Sequence, residues 1–201
     1  MCVFLKELGS RDALIIVDYQ VDFCPGGALP VSGGDELAPF LNRYISIFAD
    51  SGSMIVATRD YHPPDHMSFR DHGGTWPSHC VGGTTGAGFH PGLSLPKGTL
   101  VISKAIERYR EAYSGFDGTK LADNLRERGI ERVFVGGLAT DYCVKNTVLD
   151  AIGYGFHTVL LTDAIRSVDV EPGDGEKALR EMVEAGAKTS TFDELANPVS
   201  S

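Results

Sequence analysis

The chain has 201 residues, 42% of them hydrophobic and 22% charged, the balance of a globular protein with one full core. Its formal charge of −9 argues against a nucleic-acid partner, which needs clustered Lys and Arg. No apolar run approaches the ~18 residues of a membrane span. The opening MCVFLKEL is broken by Lys6 and Glu7 and does not read as an export signal, so the expected location is the cytoplasm, with Cys2, Cys24, Cys80 and Cys143 as reduced thiols. Their spacing offers no CxxC pair and no disulfide framework.

Taken in chain order, Ala13–Val17 is the first of five short Val/Ile/Leu-rich segments that read as strands buried on both faces. Asp35–Ala49 follows with Leu37, Phe40, Leu41, Tyr44, Ile45 and Phe48 at helical spacing. Met54–Thr58 is the second strand and Leu100–Ser103 the third. Lys120–Arg128 reads as a helix capped by Thr119 and stopped at Gly129. Arg132–Val135 is the fourth strand, Asp141–Ile152 a helix behind Thr140, Thr158–Leu161 the fifth strand, and Gly175–Ala185 a helix ending at Gly186. Lys188–Thr191 is a weaker sixth strand. Alternating strands and helices predict one domain over residues 1–201, a three-layer α/β/α fold on a six-stranded, mainly parallel, doubly wound sheet.

Residues 60–99 break this rhythm with 40 residues of little periodicity, holding five of the six His and the only Trp. A loop that long in a compact domain is usually functional, and its aromatic and His content speaks against disorder.

Ligands of an open parallel sheet bind beyond the carboxyl ends of its strands. There the sequence delivers Asp18 after the first strand, Asp60 and His62 after the second, Lys104 after the third and Cys143 after the fourth. With Thr140 as N-cap, Cys143 falls in the first helical turn, where free N–H groups and the helix dipole favour a thiolate. Asp18, behind an apolar strand, is desolvated and suited to proton transfer, with Asp22 as a rival. The Asp60-x-His62 pair, joined by His79 in WPSHC, offers ligands for Zn, Fe or Mn. Cys80 is a weaker ligand candidate, because adjacent residues of an extended segment point opposite ways. Phe23, Trp76, Tyr113 and Phe116 suit a flat-walled pocket for a planar aromatic ligand. Each residue also has a plainer reading: a buried structural thiol, a turn aspartate, a surface lysine, solvated loop histidines, aromatics packed on the core.

The segments ALIIVDYQVDFCPGGALPVSGG, TRDYHPPDHMSF, TWPSHCVGGTTGAGFHP, VISKA, AYSGF and GGLATDYCVKNTVLDA, spread from about Ala13 to about Phe192, resemble the nicotinamidase branch of the isochorismatase-like cysteine hydrolase superfamily. The resemblance implies a triad of Asp18, Lys104 and Cys143. It implies one divalent metal, zinc first and iron or manganese as alternatives, on Asp60, His62 and His79, with His66 matching a further ligand of some members. It implies an oxyanion hole of the Ala139 and Cys143 N–H groups beside a cis Leu138–Ala139 peptide, and substrate contacts from Phe23, Trp76, Tyr113 and Leu138. Tyr142 stands where some members have His. The implied reaction is hydrolysis of nicotinamide to nicotinate and ammonia through a thioester, with pyrazinamide as a plausible analogue. The implied partner is that small molecule rather than nucleic acid or membrane, and a homo-oligomer stays open. Two other readings compete: an isochorismatase or N-carbamoyl amidohydrolase, and a metal-stabilised binding module without turnover.

Overall fold

The computed structural model describes residues 8–196. Cys2 and most of the MCVFLKEL segment lie outside them. Six strands form a single sheet: β1 (Asp12–Val17), β2 (Met54–Asp60), β3 (Leu100–Lys104), β4 (Arg132–Leu138), β5 (His157–Arg166) and β6 (Lys188–Ser190). Their order is β3-β2-β1-β4-β5-β6 and every neighbouring pair is parallel. Order 3-2-1 then 4-5-6 reverses between β1 and β4, so the crevice of a doubly wound sheet opens above those two strands.

Parallel pairing needs crossovers, and the helices that supply them cover both faces. Side chains alternate along β1. Leu14 and Ile16 pack with Leu37, Leu41, Tyr44, Ile45 and Phe48 of the α1 side (α1, Ala38–Asp50). Ala13, Ile15 and Val17 pack with Leu121, Leu125, Val148, Ala151 and Met182. Those come from α2 (Leu121–Glu127), α3 (Lys145–Gly153) and α4 (Asp174–Glu184). The short α5 (Phe192–Ala196) returns to the first face, where Phe192 meets Tyr44 edge-on. Among the described residues no helix is long and apolar enough to cross a membrane.

The strands run further than their apolar cores predict. β2 carries Asp60 and β3 carries Lys104 as their last residues, and the two are register partners. β5 continues past Thr162 and Asp163 to Arg166. After a register shift at Val135/Gly137 it pairs Ile165 with Gly137 and Arg166 with Leu138. Polar residues inside a buried strand hid that extension. Gly137 has φ 124, and a Cβ there would overlap the Val17 carbonyl oxygen, so only glycine lets β4 lie this close to β1.

The predicted helix behind Thr140 is corrected. Ala139 is extended, and Thr140–Val144 forms a wide turn in which Val144 N–H donates to Ala139 O five residues back (3.0 Å). The α-helix proper starts at Lys145. Thr119 does act near the start of α2, its Oγ1 accepting from Leu121 N–H (3.2 Å), although the helix begins at Leu121. Residues 60–99 are ordered by turns and three isolated bridges, Gln20–Phe89, His62–Val81 and Phe69–Trp76.

Candidate active site

Asp18, Asp60, Lys104 and Cys143 come from four adjacent strand ends and meet at the crevice, all of them buried. Asp18 sits at φ 47, a left-handed turn that ends β1. Thr58 fixes it: Thr58 Oγ1–H donates to Asp18 Oδ1 (2.7 Å), and Asp18 N–H donates to Thr58 O (3.2 Å). Gln20 locks the next stretch to β2, donating to Asp60 O (2.8 Å) and accepting from Asp60 N–H (2.8 Å). Asp22, the rival carboxylate, is occupied in loop structure, accepting from Cys80 N–H (2.7 Å) and Ala28 N–H (3.1 Å).

Lys104 Nζ is the hub. It donates to Asp60 Oδ1 (2.6 Å), to Ala112 O (3.1 Å) and to Cys143 Sγ (3.4 Å), and lies 2.9 Å from Asp18 Oδ2. That last contact is an ion pair without hydrogen-bond alignment, because Asp18 Oδ2 accepts no hydrogen bond. Carboxylate oxygens of Asp18 and Asp60 and the Cys143 sulfur all lie within 4.8 Å of one another. The Asp18 carboxylate therefore stands near the thiol, with its Oδ2 buried and accepting no hydrogen bond.

Burial works against charge on Lys104, but the carboxylates of Asp18 and Asp60 override it and hold the ammonium well above its ordinary range. For Asp18 burial dominates, so its pKa lies above the usual carboxylate value despite Lys104. Burial also favours neutral Asp60, yet Lys104 and His62 together pull it below that range. The Cys143 thiol is pushed well above its ordinary pKa by burial, with Lys104 opposing and both carboxylates adding to the rise. This reverses the expectation of a dipole-stabilised thiolate. Cys143 sits 5% exposed in a wide turn between two carboxylates, and desolvation outweighs the helix end.

Asp60, His62 and His79 each offer one donor atom within 4.8 Å of the others. His62 Nδ1–H donates to Ala105 O (3.1 Å) and His79 Nδ1–H to Pro77 O (2.8 Å), which leaves both Nε2 atoms as lone-pair donors. His62 Nε2 is buried without a hydrogen-bond partner, 3.7 Å from Asp60 Oδ2. Burial lowers the pKa of His79, favouring the neutral ring that a metal requires. An orphaned imidazole nitrogen facing a carboxylate and a second imidazole fits a divalent cation. His66 does not join this set. Its Nε2–H donates to Arg110 O (3.0 Å), its Nδ1 accepts from Ser68 Oγ (2.7 Å), and its ring lies 4.3 Å from that of His62. Both nitrogens are committed to the protein, so here His66 buttresses His62 instead of acting as a further ligand.

These groups open into one cavity lined by Phe23, Trp76, Tyr113, Tyr142, Ala139 and Cys143, together with Asp60, His62 and His79. Trp76 Nε1–H donates to Tyr113 OH (3.1 Å), and Tyr142 meets Trp76 edge-on at 5.1 Å. The Leu138–Ala139 peptide is cis. Leu138 itself is corrected: its side chain is fully buried on the α1 face, against the site of Gly34, and does not line the cavity. Phe116 packs on Phe156 and Tyr154, away from it. Cys24 and Cys80 are buried with raised pKa values, desolvation leading in both. Besides the supporting Thr58 and Gln20, other lining or supporting residues escaped the sequence reading. Leu29 and Val31 stand in the motif-bearing loop after β1, and Val168 and Glu111 also line the cavity. Asp141 accepts from Val168 N–H (3.0 Å) and Asp169 N–H (2.8 Å), holding the loop after β5 against the site.

A family model described as the isochorismatase domain matches residues 12–194. The chain belongs to the isochorismatase family. It is 45% identical over 167 residues to the nicotinamidase/pyrazinamidase of Mycobacterium tuberculosis, covering 79% of this chain and 88% of the relative. Among solved structures it is similar to the pyrazinamidase of Pyrococcus horikoshii in complex with zinc, with TM-score 0.87 and 52% identity, covering 90% of this chain and 99% of that one. It is also similar to an L. infantum protein in complex with nicotinate, with TM-score 0.86 and 39% identity, covering 94% of this chain and 96% of that one. The family's sheet and helix layers are those described above.

Proposed function

We propose that this family member is a metal-dependent nicotinamidase that hydrolyses nicotinamide to nicotinate and ammonia through a thioester at Cys143, and that it also accepts pyrazinamide. The observation that carries the reading is the junction of two devices in one aromatic cavity. One is a buried carboxylate–ammonium–thiol cluster, the other a partnerless imidazole nitrogen beside a carboxylate and a second imidazole. The relatives named for nicotinamide and pyrazinamide support the substrate class.

Asp18 Oδ2 takes the thiol proton as Cys143 Sγ attacks the amide carbon, and the carbonyl electron pair moves onto oxygen. The N–H groups of Ala139 and Cys143 are the proposed oxyanion donors. When the tetrahedral intermediate collapses, the C–N bond breaks and Asp18 gives its proton to the leaving nitrogen, releasing ammonia. Asp18 then takes a proton from water as its oxygen attacks the thioester. The C–S bond breaks, the Asp18 proton returns to sulfur, and the acid formed loses its remaining proton to solvent and leaves as nicotinate. Lys104 keeps its proton throughout and compensates the charge that moves between Asp18 and sulfur. A raised Asp18 pKa suits it to hold the proton between steps. Phe23, Trp76, Tyr113 and Tyr142 would enclose the flat ring and exclude water. A divalent ion on Asp60, His62 and His79, zinc by the donor chemistry and the P. horikoshii complex, would supply a Lewis-acidic anchor for the ring nitrogen. Asp60 then has two duties, because its other oxygen holds Lys104.

A substrate panel tests the reading. Nicotinamide and pyrazinamide should release ammonia at least a hundredfold faster, in kcat/KM, than N-carbamoyl amides of similar size. Preference for the carbamoyl compounds would move the chain to another branch of the family. Asp60→Ala should lower bound metal and raise KM; unchanged metal stoichiometry would refute the ligand assignment.

A further inference from the structure

Glu111 is the one charged side chain lining the cavity outside the proposed metal and thiol groups among the described residues, and no cation lines it at all. Lys104 lies behind the wall, fully buried, with Asp60, Ala112 O and Cys143 as its hydrogen-bond partners and Asp18 as its second ion pair. Glu111 is held in place: its Oε1 accepts from Ala112 N–H (3.1 Å), the residue whose carbonyl accepts from Lys104. Its neighbour Arg110 is committed elsewhere, to Asp117 (2.6 Å) and Glu107 (3.9 Å), and not to this carboxylate. The field of Glu111 reaches the cavity wall, where it adds to burial in raising the pKa of the Tyr113 phenol.

The formal charges give this position its meaning. Lys104 balances one of the two buried carboxylates, and a divalent ion balances the other with one positive charge to spare. A site with that surplus would hold the anionic acid more tightly than the neutral amide, and the enzyme would be trapped by its own product. The carboxylate of Glu111 cancels the surplus. We propose that Glu111 is a specificity-determining residue that keeps the cavity neutral, so that it admits an uncharged heteroaromatic amide and expels the heteroaromatic carboxylate formed from it. The inference rests on the amide-hydrolase reading above.

The test compares wild type with Glu111→Gln and Glu111→Asp, all zinc-loaded. It measures the Kd of nicotinate by titration calorimetry and the KM of nicotinamide by ammonia release. The ratio of nicotinate Kd to nicotinamide KM should fall about three- to tenfold in the Gln variant, the size of one screened charge at short range. It should recover in the Asp variant. Raising the salt concentration should narrow the gap between wild type and Glu111→Gln. An unchanged ratio, or nicotinate Kd and nicotinamide KM shifting by the same factor, would overturn the inference, because a role in shape alone moves both equally. If wild type turns over nicotinamide and the ratio does not move, this inference alone fails. If wild type releases no ammonia from nicotinamide, the functional reading fails and the inference falls with it.

Discussion

Lys104 is a buried ammonium flanked by two carboxylates, and most of the site's electrostatics follow from it. Its charge keeps Asp60 ionised and ready for a metal. It does not fully offset the desolvation of Asp18 or of Cys143. In the proposed mechanism the resting thiol is accordingly neutral, and the nucleophile would be generated by proton transfer to Asp18 within the reaction cycle. In metal-free enzyme this predicts that Cys143 alkylates more slowly at pH 7 than a model thiol, with a rate still rising above pH 9, since a raised pKa lowers the thiolate fraction below that value. Peptide-resolved mass spectrometry separates it from Cys24, whose thiol is pushed up to about 11, and a rate plateau at neutral pH would contradict the account. Thr58→Val removes the donor to Asp18 Oδ1 and should cut kcat about tenfold while shifting stability by only about 1 kcal/mol. Asp18, Asp60, Lys104 and Cys143 were legible in sequence because each follows an apolar strand. Their protonation states were not, since these depend on burial and on which carboxylates meet which cation in three dimensions. His66 shows the same limit: its motif marks it as a ligand, but Ser68 and Arg110 O, the latter 44 residues away, take both its nitrogens.

At the scale of elements, the site is built where β4 hands over to α3. Gly137 lets β4 pass close to β1, and the wide turn at Thr140–Val144 presents Cys143 to the strand ends. Gly137→Ala would force a Cβ into the Val17 carbonyl at a left-handed φ. It should destabilise the fold by roughly 3 kcal/mol or more in urea unfolding, and a loss under 1 kcal/mol would mean that the strands can part. Asp141, two residues before Cys143, pins the β5 loop that carries Val168 into the cavity. Asp141→Ala leaves two backbone donors unpaired and should raise KM more than it lowers kcat, because the pocket wall loosens while Asp18, Lys104 and Cys143 stay in place. An equal fall in kcat and kcat/KM would place Asp141 nearer the chemistry. Six strands and four of the helices were visible as alternating apolar and helical patterns. The wide turn was not, because Thr140 followed by polar residues reads as an ordinary cap, and the far half of β5 was hidden by Thr162 and Asp163.

For the molecule as a whole, the doubly wound sheet concentrates four strand ends at one switch point, and the long 60–99 segment adds Asp60, His62, Trp76 and His79 to the pocket wall. A metal bound only by the folded state couples the site to global stability. At a free zinc concentration about a hundred times its Kd, linkage contributes about 2.7 kcal/mol. For a chain of this size that is about 5–10 °C in Tm. Chelation should lower Tm by that amount and zinc should restore it; a Tm indifferent to chelator would detach the histidines from any metal. The central claim is that Cys143 is the nucleophile of a nicotinamide hydrolase, and the most direct measurement is ammonia release from nicotinamide by Cys143→Ala protein with its zinc content determined in parallel. The account predicts a full metal complement and no detectable turnover. Retained ammonia release by the metal-loaded variant would contradict it.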